Sequence, residues 1–298
     1  MQADLDGFRT EVRSFISTHG VTMEREGVRV PRDEQHEQQI REWLGSLYAA
    51  GYLGRGWPQE WGGTEDHLPA HDLIVMEELI LGNAYRPLDQ VMLAAHTLIE
   101  FGSEAQKESL LPKIRSGEHI WCQLFSEPDA GSDLASLRTR AEPEGDGWRV
   151  TGQKIWSTDA QWADMGTLLA RTDPSVDRHA GITAFIIPMD LPGMEIRPIR
   201  EMTGHAEFCE VFFDDVRVER EHVLGAVDGG WSVRRRQRSA AGATVPRPCH
   251  AGHQRSVARR YERHRPRRHP GDLGQRACPR PRGAANRARH RRPHPRRR

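Results

Sequence analysis

Two stretches of this 298-residue chain bring together residue types that suit a ligand with a polar ring and a phosphate arm. The first, Gln123-Leu124-Phe125-Ser126-Glu127-Pro128-Asp129-Ala130-Gly131-Ser132-Asp133, opens on an apolar run, turns at Glu-Pro and ends on a loop of small residues. Hydroxyls and backbone N–H groups are concentrated in such a loop, as a phosphate or a polar ring edge requires. The second, Gly152-Gln153-Lys154-Ile155-Trp156-Ser157-Thr158, follows some twenty residues later. A flavin needs an aromatic or apolar wall, donors at the ring edge and amides for its pyrophosphate. Ser126 and Thr158 suit the edge, Trp156 the wall, and Gly131 with Ser132 the phosphate side. Each has another use when taken singly. Trp156 in a strand suits a core, Ser126 and Ser132 suit turns, and the loop suits solvent.

Carboxylates in the same region are candidates for a base: Glu60, Glu127, Asp129 and Asp133. All lie beside turns, where carboxylates ordinarily face solvent, so none is assigned a catalytic role. Asp129 and Asp133 do not open a calcium loop, because Leu134 and Arg140 stand where Gly and Glu are required. The four cysteines, Cys122, Cys209, Cys249 and Cys278, have no metal-ligand spacing and no C-x-x-C pairing, so no metal site is expected.

The elements that must carry these stretches fall into two kinds. Over residues 4–18, Leu5, Phe8, Val12, Phe15 and Ile16 recur at helical spacing. Ile40, Trp43, Leu44 and Leu47 mark a second helix before Gly51, and Pro69 to Gly82 a third. A fourth is expected over 88–101. A capping box, Ser103-Glu104-Ala105-Gln106, opens a fifth that Gly117 stops. The turn-rich 56–63 segment suits neither regular element. Residues 1–117 are thus expected to be all-helical. The period then changes. Ile120–Phe125, Trp148–Trp156, Thr167–Arg171, Ile182–Pro188, Met194–Ile199 and Phe208–Val218 are short β-branched and aromatic runs separated by Gly, Pro and Asp. The fold class is α+β: a helical domain over 1–117, then an antiparallel β domain over 118–220. Residues 221–233, with Gly229-Gly230-Trp231, read as the approach to another helix.

Charge divides the chain sharply. Residues 1–233 carry a net charge near −19, and 234–298 near +20 from 22 Arg and only two acids, Glu262 and Asp272. That final segment has no Ile, Phe, Met or Trp, one Leu, one Tyr and eight Pro. It lacks the apolar surface to offset its ordering entropy, so a disordered basic tail is expected over 234–298. Its arginines would bind phosphates non-specifically. With one aromatic and no recognition motif it predicts no specific nucleic-acid partner. The acidic first residues hold no apolar signal region, and no apolar run approaches membrane-spanning length; a cytoplasmic protein without a membrane partner is expected.

Leu-Phe-Ser-Glu-Pro-Asp-Ala-Gly-Ser-Asp-Leu-Ala resembles the flavin signature of the acyl-CoA dehydrogenase family, T/S-E-P-x-A-G-S-D. Gly147–Thr158 resembles the family's second flavin segment, and Glu207–Val218 the strand that closes its middle domain. Gly56–Gly63 and Phe101–Lys107 resemble its N-terminal domain, and Gly229-Gly230-Trp231 the step into its C-terminal helices. The resemblance implies FAD as cofactor, held by Gln123, Phe125, Ser126, Gly131, Ser132, Trp156, Ser157 and Thr158. It places Ser126 and Thr158 against the ring and Ser132 near the cofactor phosphate and the acyl-CoA substrate. It implies α,β-dehydrogenation of an acyl-CoA thioester, an electron-transfer acceptor, and homo- or hetero-oligomers among intact relatives. The Glu base of the family lies in a C-terminal four-helix bundle. After Val233 this chain has the Arg/Pro-rich tail instead, with the composition of a G+C-rich gene translated out of frame. Three functions follow: a truncated, inactive acyl-CoA dehydrogenase; a non-catalytic FAD-binding subunit of a heteromeric one; or non-specific nucleic-acid binding by the tail.

Overall fold

A computed structural model describes residues 4–23, 31–86, 89–202 and 204–244. Among the described residues five α-helices come first: α1 (Leu5–His19), α2 (Glu34–Ala49), α3 (Pro69–Leu81), α4 (Asp89–Phe101) and α5 (Glu104–Ser116). Their ends follow local chemistry. Asp4 accepts a hydrogen bond from Gly7 N at 2.7 Å and Asp33 one from His36 N at 2.8 Å. Ser103 and Gln106 close the reciprocal capping box read from the sequence. Gly117 ends α5 at φ +77°, where a Cβ would lie 2.1 Å from Arg41 O. The turn-rich segment keeps only a short 3-10 turn, Gln59–Trp61.

α1 packs on α3, α2 on α5, and α4 on α5. Val12, Ile40, Leu47, Leu79 and Ala95, all with no exposed surface, lie at the centre of this core. One buried carboxylate joins α1 to α3. Glu78 accepts from Arg13 Nε at 2.8 Å and from Arg9 Nη1 at 2.9 Å.

Eight strands follow among the described residues: β1 (Trp121–Leu124), β2 (Arg140–Glu144), β3 (Gly147–Thr158), β4 (Met165–Arg171), β5 (Ile182–Pro188), β6 (Met194–Ile199), β7 (Phe208–Val218) and β8 (Val223–Leu224). They pair in the order β6-β7-β3-β2-β4-β5-β8, with β1 on β4. The sheet is mostly antiparallel, as expected, but β1 runs parallel to β4, and β2 meets β4 in parallel at Arg140 and Arg171. β2 and β8 were not among the strand runs. β2 reads Arg-Ala-Glu-Pro-Glu, with one buried residue, and β8 is two residues long, so neither has a measurable period.

Strand alternation divides the apolar side chains between two cores. In β5, Ile182, Ala184 and Ile186 face the helical core, while Phe185 and Ile187 face a second core within the β region. In β4, Leu169 joins the first, and Leu168 and Ala170 the second. Arg41 of α2 fastens the helices to the sheet: it donates to Asp164 Oδ2 at 2.7 Å and to Glu118 O at 2.6 Å.

The expectation of disorder from residue 234 is corrected in part. A sixth helix, α6 (Gly230–Thr244), runs eleven residues beyond Val233. Arg, Gln and Ala are good helix formers, and the first two turns pack on the body. Val233 and Gln237 are buried, and Arg236 pairs with Glu100 of α4. The expectation for 245–298, including its nucleic-acid contacts, lies outside the described residues.

Candidate functional site

β1 delivers the first candidate stretch and β3 the second, and the two meet at one point. Ile155 N donates to Ser126 O at 2.9 Å. Lys154 Nζ donates to Phe125 O at 3.1 Å and to Glu127 Oε1 at 2.8 Å. The same carboxylate accepts Arg138 N at 2.6 Å and Thr139 N at 2.9 Å. Beyond it, Glu127 and Ala130 exchange backbone hydrogen bonds at 2.9 and 3.0 Å, and that tight turn puts Gly131 and Ser132 on the surface.

Glu127 therefore departs from the solvent-facing role expected of these carboxylates. It is 7% exposed and Lys154 is fully buried. Burial pushes the Glu127 carboxyl up, but Lys154 and the two amides outweigh this and hold it below the ordinary carboxylate value. Burial pushes Lys154 down to about 8, with Glu127 opposing. Both charges are spent on each other and on backbone groups, which leaves Glu127 unsuited to proton abstraction. Asp129 and Asp133 are exposed, as expected, and face Arg138 and Arg178 respectively. Glu60 is exposed as well.

Trp156 is not a core residue. It is 57% exposed, edge-on to Phe208 with ring centroids 5.8 Å apart. Strict alternation along β3 buries Trp148, Val150 and Lys154 and would bury Trp156 next. A bulge intervenes: three steps on β3, from Lys154 to Ser157, match two on β7, from Val211 to Cys209. Trp156 sits inside it at φ +60°, a conformation rarely adopted by a bulky residue and costing about 1–3 kcal/mol. The slip turns Trp156 outward and Ser157 inward. Ser157 is buried opposite Cys209, and its Oγ has no hydrogen-bond partner. Thr158, half-buried, pairs with Phe208.

The remaining candidates are less gathered. Phe125 is partly buried against the helical core. The Gln123 side chain is engaged with α6, donating to Gln237 Oε1 at 3.2 Å. Gly131 has nothing within 4 Å of where a Cβ would lie, so the loop approach is open. An exposed indole, a neighbouring threonine, a serine one residue from the clamped carboxylate and an open small-residue loop together fit a flat ring with a phosphate arm. The Glu127–Lys154 pair was not read from the sequence as a site feature. Its signal is strand alternation: Lys154 occupies an inward position of β3. Among the described residues no group of three or more His, Cys, Asp or Glu could hold a metal ion, and no helix is long and apolar enough to cross a membrane.

Comparison with known proteins agrees with this architecture. Residues 2–118 match the family model "Acyl-CoA dehydrogenase, N-terminal domain", and residues 122–216 match "Acyl-CoA dehydrogenase, middle domain". Acyl-CoA dehydrogenase IpdE1 of Mycobacterium tuberculosis is 40% identical over 235 residues, covering 77% of this chain and 61% of that protein. Acyl-CoA dehydrogenase FadE34 of the same organism is 47% identical over 192 residues, 64% of this chain and 27% of its own length. Among solved structures, the ChsE4-ChsE5 complex from Mycobacterium tuberculosis matches with TM-score 0.70 and 31% identity, over 80% of this chain and 60% of that one. The Tcur3481-Tcur3483 steroid ACAD matches with TM-score 0.67 and 29% identity, over 88% and 73%. The chain thus spans about three-fifths of the length of the IpdE1 relatives and about a quarter of FadE34. Through its N-terminal and middle domains, the chain belongs to the acyl-CoA dehydrogenase family.

Proposed function

We propose that this chain is the flavin-binding portion of an FAD-dependent acyl-CoA dehydrogenase and does not turn over by itself. The observation that carries the reading is Trp156, held outward by a bulge beside the loop that bears Ser126. Trp156 forms the wall of the ring site, and Ser126 and Thr158 meet its polar edge. Gly131 and Ser132 take the phosphate side, with Ser132 also toward the acyl-CoA. Gln123 of β1, Phe125 just after it and Ser157 of β3 support these. FAD, when bound, would supply the acceptor for the hydride that leaves the substrate β-carbon, and the family resemblance implies an electron-transfer partner as the final acceptor. The α-proton must go to a carboxylate, and none of Glu127, Asp129 or Asp133 is suited to take it. The residues divide as 1–117, 118–220 and 221–233 for the helical domain, the β domain and the entry to the C-terminal helices. The free thiols of Cys122 and Cys209 suit a cytoplasmic setting.

The Arg/Pro-rich composition after Val233 supports out-of-frame translation as the origin of the tail. Translating the other two frames of the gene from codon 230 is expected to reveal an amphipathic helical bundle; its absence from both would contradict this. The activity test is acyl-CoA oxidation by the purified, FAD-supplemented chain with an artificial electron acceptor. The expected rate equals the buffer blank, and turnover well above it would contradict the reading.

A second reading is favoured by the two structural neighbours described as pairs of proteins, ChsE4-ChsE5 and Tcur3481-Tcur3483. In it, the chain is the FAD-holding subunit of a heteromeric enzyme. Co-expression with a related subunit would then yield a yellow oligomer of defined size.

A further inference from the structure

We propose that the buried Glu127–Lys154 pair is a positioning clamp that fixes the spacing between the two flavin-facing segments and so sets how tightly the chain holds the flavin. The inference rests on the flavin reading above. Three features carry it. First, the contacts of the pair converge on the junction. Lys154, carried by β3, reaches Phe125 O and Glu127 Oε1 on the other segment, and the carboxylate gathers Arg138 N and Thr139 N. Five residues from three stretches of chain are tied at one point. Second, that point is one residue from Ser126 and two from Trp156, and the adjacent Ile155 N–Ser126 O hydrogen bond completes the tie. A ring site demands placement of its wall and edge groups to about half an ångström. Slack at the clamp would move Ser126 relative to Trp156. Third, the pair is an expensive way to gain stability. Apolar residues of similar volume often replace a buried ion pair without loss, so stability alone does not account for the pair. It pins β3 immediately before the bulge that turns Trp156 outward.

The test measures FAD affinity by fluorescence quenching, and thermal stability, on the full chain. The variants are Lys154→Met, Lys154→Arg and the double Glu127→Gln/Lys154→Met. Arg41→Met, which removes a helix-to-sheet clip that hydrogen-bonds no residue of the two segments, is the control. Lys154→Met is expected to lower the melting temperature and weaken FAD binding by about tenfold or more. The double variant leaves no unpaired buried charge, so its melting temperature should recover while its FAD affinity stays weak. Lys154→Arg should regain part of the affinity. Arg41→Met should melt earlier and bind FAD as the wild type does. If the double variant binds FAD like the wild type, the pair is only structural and the clamp is overturned. The same holds if Arg41→Met loses affinity in step with stability. Absence of saturable FAD binding to the wild type would instead overturn the flavin reading, and the clamp with it.

Discussion

At the scale of single residues, Trp156 shows how a side chain is committed to a surface by backbone geometry. Its left-handed φ and the bulge around it hold a large apolar ring in solvent, where it contributes little to folding. Trp156→Ala is therefore expected to change stability by less than about 1 kcal/mol, in contrast to the 3–5 kcal/mol typical of a buried Trp. Chemical denaturation checks this. Glu127 gives a pH signature. Its carboxyl titrates below its ordinary 4.5, so the folded state favours the ionised form. The stability it contributes is fully present above pH 4.5 and is lost as pH falls through the lower folded value. Denaturation curves of wild type and Glu127→Gln should therefore converge as pH falls below 4.5. Curves that stay parallel would show that Lys154 and the Arg138 and Thr139 amides do not hold Glu127 ionised. Residue types alone marked Ser126, Trp156 and Thr158 as flavin-facing candidates. They did not show which way Trp156 points, because one inserted residue reverses every later side chain on the strand.

At the scale of elements, most boundaries follow from caps and periods. β5, β6 and β7 have the limits read from their apolar runs, and α5 has the capping box its first residues spell. Gln106 does more than cap: its side chain also donates to Glu221 O at 2.8 Å and Val223 O at 3.0 Å, tying α5 to the chain that precedes α6. Ser103→Ala is expected to cost about 1 kcal/mol. Gln106→Ala should cost more, since it loses both the cap and the tie; equal losses in thermal melts would contradict that role. Gly152 tests the register of β3. At φ +154° its Cβ position lies 2.6 Å from Thr139 Oγ1 and 2.7 Å from Thr139 Cα. Gly152→Ala should therefore destabilise the chain by at least about 1 kcal/mol, and should disturb the Thr139 amide that binds Glu127. Pairings that depend on distant partners were not legible. β2 carries one buried residue and is defined by β3 and β4 rather than by any pattern of its own. α6 continues past Val233 because Val233 and Gln237 find the body, which composition does not reveal.

At the scale of the whole molecule, the helical region shares one core with β1, β4 and β5, whereas the buried apolar residues of β3 pack in the second core within the β region. Exposed apolar residues remain: the sequence neighbours Ile80 and Leu81 on α3 are 51% and 64% exposed, and Trp156 is exposed separately on β3. Exposed apolar side chains such as these favour association, so sedimentation should show concentration-dependent self-association, and a monodisperse monomer would contradict this. The central claim, a flavin site built from two segments that meet at Ser126 and Trp156, is tested most directly by titrating the purified full chain and its Trp156→Ala variant with FAD. Saturable binding by the wild type, weakened about tenfold by Trp156→Ala at unchanged melting temperature, is the expected result. No saturable binding by the wild type, or equal affinity in the two proteins, would contradict it.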